Sequence, residues 1–371
     1  MKKVRILLGD PRHYTVGAHS SYVPINIGYI GSYLKNEIKD VDIELKLETK
    51  PEEIFSVIDN WKPNIVGMSH YVWNTSLSNM MCVYAKKLDS KTDHLVIGNG
   101  SDEIILLLLQ VFCMEEDTII IPDPTFAMYA IISQSLGIKT KNIPLNSNWD
   151  FNASLLLEAA EKNKSRLIFL SYPNNPTGNC FSEAEVRKVI EQFEGIVVLD
   201  EAYYDFSQKS FISEIKNHNN LVILRSFSKI GLAAMRVGFG VANPLIIQEI
   251  NKVRLPYNSN MLSQSFAEHL VNNFQVVQKQ IDFILKERGR LVDELEKINS
   301  ITVFPTDSNF ILFKTERSAD ELFTHLIYNG ILVRNLSSHP KLHNCLRVTV
   351  GTINENDRFI SEVNAYAMGD E

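Results

Sequence analysis

Four apolar runs in the middle of the chain set the narrowest limit on what it can fold into. They lie within DTIIIPD (117–123), RLIFLSYP (166–173), GIVVLDEA (195–202) and NLVILRSF (220–227). None shows the in-and-out alternation of a half-exposed strand, so nearly all must be covered on both faces, as in a parallel sheet flanked by helices. Each run ends in polar or glycine-containing residues. In an open α/β sheet, those ends are where a ligand binds.

The flanking regions follow different patterns. Upstream, VRILLGD, DIELKLE, NIVGMSHY and HLVIGNG read as short strands, with helix-like stretches near 27–36, 51–61 and 77–88. Four such strands imply a small, open, roughly parallel α/β layer, and MKKVRILLGD reads as its first strand and not as a signal peptide. Downstream, the long charged helix VVQKQIDFILKERGRLVDELEKI is followed by ITVFPTDSNFILFKT, a helix near 318–329 and CLRVTVG, together a compact α+β unit. The expected divisions are 1–97, 98–271 and 272–371.

Composition narrows the partners. With 37 Lys and Arg against 44 Asp and Glu, the net charge of -7 disfavours a nucleic-acid groove. An apolar run such as 104–109, six residues long, falls far short of a membrane span. Cys82, Cys113, Cys180 and Cys345 are scattered without zinc or iron-sulfur spacing. No metal site is expected, and a soluble, reducing, cytoplasmic setting fits.

Lys229 is the first residue that points to chemistry. It follows the run NLVIL, has Ser226 and Ser228 beside it, and is followed by Arg236. A lysine at a strand end among phosphate donors is what an imine to a phosphate-bearing aldehyde cofactor requires. Alone, such a lysine is more often a solvated surface residue. Asp200 ends another apolar run, where an unpaired carboxylate is costly, and a protonated pyridine nitrogen is its natural partner. Tyr203 and Asn175, the latter in the proline-fixed turn SYPNNPTG, could donate to a ring phenolate. Gly-Asn-Gly before Ser101 and Asp102 would present a helix N-terminus to a phosphate, unless it is only a cap. Phe126 could stack on the ring or simply pack in the core. Arg347, within CLRVTVG, needs a carboxylate partner, whether from substrate or from an Asp or Glu of the protein.

Taken in order, GNGSDE, PDPTFAMY, SYPNNPTG, VVLDEAYYDF, RSFSKIGLAAMRVGFG, LPYNSN, SNFILF, ILVRN and LRVTVGTINEND make residues 98–365 resemble a fold-type I pyridoxal-phosphate (PLP) enzyme. The resemblance is to class I/II aminotransferases, and within them to histidinol-phosphate aminotransferases. It implies imine formation at Lys229, ring-nitrogen pairing at Asp200, and phenolate contacts from Asn175 and Tyr203. Phosphate binding falls to Ser101, Asp102, Ser226, Ser228 and Arg236, and ring stacking to Phe126, where the family more often has tyrosine. On the substrate side it implies Arg347, which grips a carboxylate, with Arg334 and Asn258. A homodimer is also implied.

Residues 1–97 instead resemble the cobalamin-binding-type domain of radical SAM proteins, through KVRILLGDP, PINIGYIGSYLKN and PNIVGMSHYVWNTSLSNMMCVYAKKL. The cobalt-ligating D-x-H-x-x-G motif is absent, since Asp10 and His13 are one residue too far apart, and no C-x-x-x-C-x-x-C follows. The aminotransferase N-E-N-P-x-G arm and R-Y-P stretch are also missing upstream of Gly98, and neither Tyr14 nor 74–76 replaces them. The expected fold class is therefore an α/β PLP-dependent transferase of fold type I, with a C-terminal α+β domain and a truncated flavodoxin-like segment in front. The expected function is transamination between glutamate/2-oxoglutarate and a second pair, histidinol phosphate and imidazole-acetol phosphate. The alternatives are decarboxylation of a phosphorylated amino acid such as threonine phosphate, or a cobalamin-binding or sensory module fused to a weakly active PLP domain.

Overall fold

The computed structural model describes residues 2–9, 41–48, 65–68 and 94–369. The chain divides into two compact units, Met1–Ser78 and Asn79–Glu371. In the first, β1 (Lys2–Gly9) pairs in parallel with β2 (Val41–Glu48) and β3 (Ile65–Met68), in the order β2-β1-β3. The helices expected near 27–36, 51–61 and 77–88 lie outside the described residues, as do Asp10, His13, Tyr14, 74–76 and Cys82.

The strand expected as the fourth of that layer lies elsewhere. β4 (Leu95–Asn99) pairs antiparallel with β10 (Val237–Ala242) at one edge of a seven-stranded sheet in the second unit. Residues 95–97, expected in the leading segment, therefore belong to the large sheet. Close approach explains the placement. Gly98 faces Gly238 in the register, and a Cβ on Gly238 would collide with the backbone of Gly100 and Ser101.

The rest of the sheet is β5 (Thr118–Asp123), β6 (Lys139–Pro144), β7 (Leu167–Ser171), β8 (Ile196–Asp200) and β9 (Leu221–Ser226). The order is β4-β10-β9-β8-β7-β5-β6, with β10 alone reversed. All four expected central strands are present, and β7 and β9 are buried along their whole length. β6 was not foreseen because KTKNIP is mostly exposed and lysine-rich, as suits an edge strand. β10 was hidden by its two glycines.

Alternation along three of these strands creates the site. Leu167 and Phe169, Val198, and Val222 and Leu224 pack into one core cluster with Ile104, Leu108 and Tyr129. The next same-face positions are Ser171, Asp200 and Ser226, so each apolar column ends in a polar group at the sheet's C-terminal edge. The helix α1 (Ser101–Phe112) covers this face through Ile104, Ile105 and Leu107–Leu109.

The neighbouring residues, Glu201 and Arg225, form a buried ion pair at 2.8 Å, with side chains 0% and 4% exposed. Ser210 Oγ and the Phe211 amide also donate to the carboxylate, and the guanidinium lies 3.4 Å from the centre of the Tyr204 ring. This pair ties the ends of β8 and β9 together on the side away from Asp200 and Ser226.

The third sheet is antiparallel, in the order β11-β12-β14-β13: β11 (Ile301–Val303), β12 (Phe310–Thr315), β13 (Arg334–Asn335) and β14 (Cys345–Thr349). It shares a core with the long helix α2 (Phe274–Leu295), with α3 (Ala319–Tyr328), N-capped by Ser318, and with α4 (Ile353–Met368).

Removing one member of the Glu201–Arg225 pair leaves a charge buried. Arg225→Met should cost about 3–5 kcal/mol in urea unfolding, while the double change Glu201→Leu/Arg225→Met should cost clearly less. Equal losses in the two proteins would contradict a paired role.

Candidate active site

A cavity of about 160 Å³ opens at the C-terminal ends of β7, β8 and β9. A larger groove of about 660 Å³ reaches the opposite ends of β7 and β8, and its walls include the exposed Glu158, Glu161 and Lys164. The ten residues expected to hold the cofactor all line the smaller cavity, together with Ser171, Ala202 and Ala233.

One end is built for an anion. The helix α1 starts at Ser101 with Gly100 as its cap and no side chain accepting from its first turn, so the backbone N–H groups there remain available. Ser226 Oγ accepts from the Ser228 amide at 3.1 Å and donates to Ser228 Oγ at 2.9 Å, which folds both hydroxyls into the turn Phe227–Ile230. Arg236 has a left-handed backbone (φ 53°) and donates to Asp102 at 3.1 Å and to the Asn99 carbonyl at 3.3 Å. Gly100, at φ 77°, has a left-handed backbone that favours glycine, and the Arg236 guanidinium lies in the space a Cβ would take.

The other end is built for an aromatic ring with a basic nitrogen. Asp200 is 4% exposed. Its carboxylate accepts from the Tyr129 hydroxyl at 2.8 Å and from the Ala202 amide at 3.1 Å. Burial pushes its pKa up to about 6, although these two donors and the charge of Lys229 pull it down. A carboxylate held this way gains from a cation beside it. Lys229 Nζ lies 5.2 Å from the centre of the Tyr203 ring, which packs edge-on against Phe310 at 5.3 Å. Phe126 meets Tyr129 edge-on at 5.4 Å, packs against the core and also lines the cavity.

Asn175 connects this end to the small sheet. Its Oδ1 accepts from the Arg347 guanidinium, which leaves the amide N–H₂ as the side that can donate into the cavity. Arg347 lies 4.6 Å from the centre of the Phe310 ring, and burial, with Arg334 nearby, lowers its pKa. Among the described residues it pairs with no carboxylate, and its buried Nε has no partner. Arg334 is exposed on β13, directly across the register from Arg347. Asn258 is placed differently from its expected substrate role. It donates to the Ile97 carbonyl and to Glu103, accepts from Arg254, and is not part of the cavity wall.

Two residues of the site were missed in the sequence. Tyr129 lies three positions after Phe126 in PTFAMY, in the first turn of the helix Met128–Ser135, where its amide donates to the Phe126 carbonyl at 3.3 Å; read as one more apolar residue of a core helix, it carries no sequence signal of its own. Ser171 is legible only after Asp200 is placed, because the two are partners across the β7–β8 register.

The cavity fits PLP on its own chemistry. It has hydroxyls, an arginine and a helix N-terminus for the phosphate, a buried carboxylate for the ring nitrogen, and a lysine in the same wall. Residues 63–363 match the family model for class I and II aminotransferases, which begins inside the segment likened to cobalamin-binding domains. The chain is 40% identical over 269 residues to the histidinol-phosphate aminotransferase of Caldanaerobacter subterraneus subsp. tengcongensis, covering 72% of this chain and 76% of that protein. The crystal structure of the histidinol-phosphate aminotransferase from Clostridium acetobutylicum matches with a TM-score of 0.74 at 25% identity, over 86% of this chain and 96% of that one. The Sinorhizobium meliloti histidinol-phosphate aminotransferase in complex with pyridoxal-5'-phosphate shares the fold, with a TM-score of 0.72, 18% identity and 85% of each chain covered.

The raised pKa of Asp200 has a consequence for stability. Unfolding returns the carboxyl to an ordinary pKa near 3.8 from about 6 in the cofactor-free fold. Its contribution is therefore fully present below about pH 4 and is lost as the pH rises through 6, an effect on the order of 3 kcal/mol. Asp200→Asn is neutral at every pH and should remove this part of the decline. Urea midpoints of the cofactor-free full-length chain from pH 4 to 8 test this, and identical slopes in the two proteins would contradict it.

Proposed function

The chain belongs to the class I and II aminotransferases, and from that premise we propose how its own residues carry out PLP-dependent transamination and on which substrates. The observation that carries the reading is the cavity itself, which gathers Lys229, Asp200, Asn175 and the anion cradle at the ends of three adjacent strands. PLP supplies the electron sink that lets an amino group pass between two carbon skeletons.

Ser101, Ser226, Ser228 and Arg236 bind its phosphate, with Asp102 holding the Arg236 fork in place. Asp200 keeps the ring nitrogen protonated, and Asn175 and Tyr203 donate to the phenolate. Phe126 covers the ring. Lys229 would hold the cofactor covalently through Nζ; displaced from that bond by the substrate's amino group, the freed amine would carry the proton taken from the substrate α-carbon.

Glutamate is proposed as the amine donor, leaving as 2-oxoglutarate, with histidinol phosphate and imidazole-acetol phosphate as the second pair. Two features support this choice: the names of the relatives, and the adjacent cations Arg347 and Arg334, which suit an anionic substrate group. Because Asn175 holds Arg347, the same asparagine orients the cofactor-side donor and the substrate-side cation.

The proposal extends to the assembly and layout. Leu255, Met261, Leu262 and Phe266 are exposed apolar side chains on one stretch of chain, which suits a homodimer contact. The large domain ends near residue 271 and the small domain covers 272–371. Nothing in the comparisons supports the cobalamin reading of residues 1–97, and we assign that segment no ligand. Among the described residues, no helix is long and apolar enough to cross a membrane.

The deciding experiment incubates the full-length protein with PLP, reduces it with borohydride and locates the added mass by peptide analysis. The label should sit on Lys229 and be absent from Lys229→Ala, whose glutamate half-reaction should fall by about 10²–10⁴-fold. Label retained in that variant would sink the assignment. Release of carbon dioxide from threonine phosphate, without 2-oxoglutarate-dependent turnover of histidinol phosphate, would favour the decarboxylase instead.

A further inference from the structure

Asp200 is the last member of an apolar column, so whatever holds its carboxylate also decides how it faces the cavity. Two donors reach it from within the protein. The Ala202 amide comes from the turn that follows β8, and the Tyr129 hydroxyl comes from the helix Met128–Ser135. The charged and titratable groups acting on Asp200 from the elements around it are Tyr129, Lys229 and Asp102.

Tyr129 is placed with little freedom. It is wholly buried, its ring stacks on Phe169 with centroids 5.0 Å apart, and Phe126 meets it edge-on. The Ser171 hydroxyl, on the same strand as Phe169, donates to the Pro173 carbonyl at 2.9 Å. Phe169 and Ser171 stand in the column beside Asp200, so the tyrosine spans two strands from above. Packing alone would be met by phenylalanine. The hydroxyl adds a hydrogen bond to a buried carboxylate, the kind whose loss leaves an acceptor unsatisfied.

We propose that Tyr129 is a positioning residue for the cofactor: by donating to one oxygen of Asp200 it orients the carboxylate and keeps it an anion ready for the protonated ring nitrogen. The inference rests on the reading of Asp200 as the ring-nitrogen partner. Burial, with the charge of Asp200, raises the Tyr129 pKa well above its ordinary value, so the hydroxyl remains a donor at any working pH. The effect on Asp200 runs in the opposite direction, since this hydrogen bond lowers a pKa that burial has raised.

The test is a double-mutant cycle on the full-length, cofactor-free chain, titrated with PLP and followed by absorbance. Tyr129→Phe should raise the Kd for PLP by about 10- to 100-fold, the range expected for a hydrogen bond to a charged group. That loss should disappear in the Asp200→Asn background, where there is no carboxylate to orient. In the cofactor-free protein, the Asp200 titration near pH 6 should move upward in Tyr129→Phe, as read from the pH dependence of unfolding. Tyr129→Phe keeps the ring that stacks on Phe169 and meets Phe126, so the change removes the hydroxyl and leaves the packing in place. An equal PLP loss in both backgrounds, or no movement of the Asp200 titration in Tyr129→Phe, overturns the role of Tyr129. Unchanged PLP affinity in Asp200→Asn alone overturns the reading of Asp200.

Discussion

The site depends on a carboxylate buried at the end of a central strand. Taking Asp200 out of water raises the free energy of its charged form, and two hydrogen bonds with one nearby lysine offset only part of that cost. The carboxylate therefore favours a cation in the cavity, and a protonated heterocycle can supply one. The same burial that destabilises the empty site thus creates selectivity for a basic ring. The surrounding columns make this possible, because only strands covered on both faces can deliver a polar group into so dry a place.

Two further contacts keep the arrangement in register. On the far face of β8 and β9, the Glu201–Arg225 pair holds the strand ends that carry Asp200 and Ser226. Arg347 on the small sheet donates to Asn175 in the turn that follows β7 of the large one. The link means that the cation expected to grip substrate and the amide expected to touch the cofactor ring cannot move independently. Electrostatic preorganisation of this kind works because its dipoles are set before the charge arrives.

Much of this was legible in one dimension. Unbroken apolar runs imply strands covered on both faces, and a change to polar residues at their ends marks the ligand edge. Lys229, Asp200, Asn175 and the Ser101 turn could be recognised because each combines a reactive or donating group with a local backbone signal. Other elements carried no such signal. β6 is charged and β10 is glycine-rich, so hydropathy identified neither. Leu95–Asn99 looked like the close of one layer and proved to be the edge of another, because its neighbour is chosen by the glycines of β10 and not by its own composition.

The amino-acid sequence by itself determined the chemistry on offer: which side chains can anchor, protonate, or bind phosphate, and that they sit where strands end. Only the tertiary structure decided which of them share a cavity and what holds them. Tyr129 gained its role by stacking over Phe169 within reach of Asp200, 71 residues away along the chain. Asn258 had a suggestive motif around it, yet its amide is spent on Glu103 and the Ile97 carbonyl. The physical reason is the same in both cases. A hydrogen bond acts over about 3 Å, and which groups come that close is set by the packing of strands and helices distant in sequence.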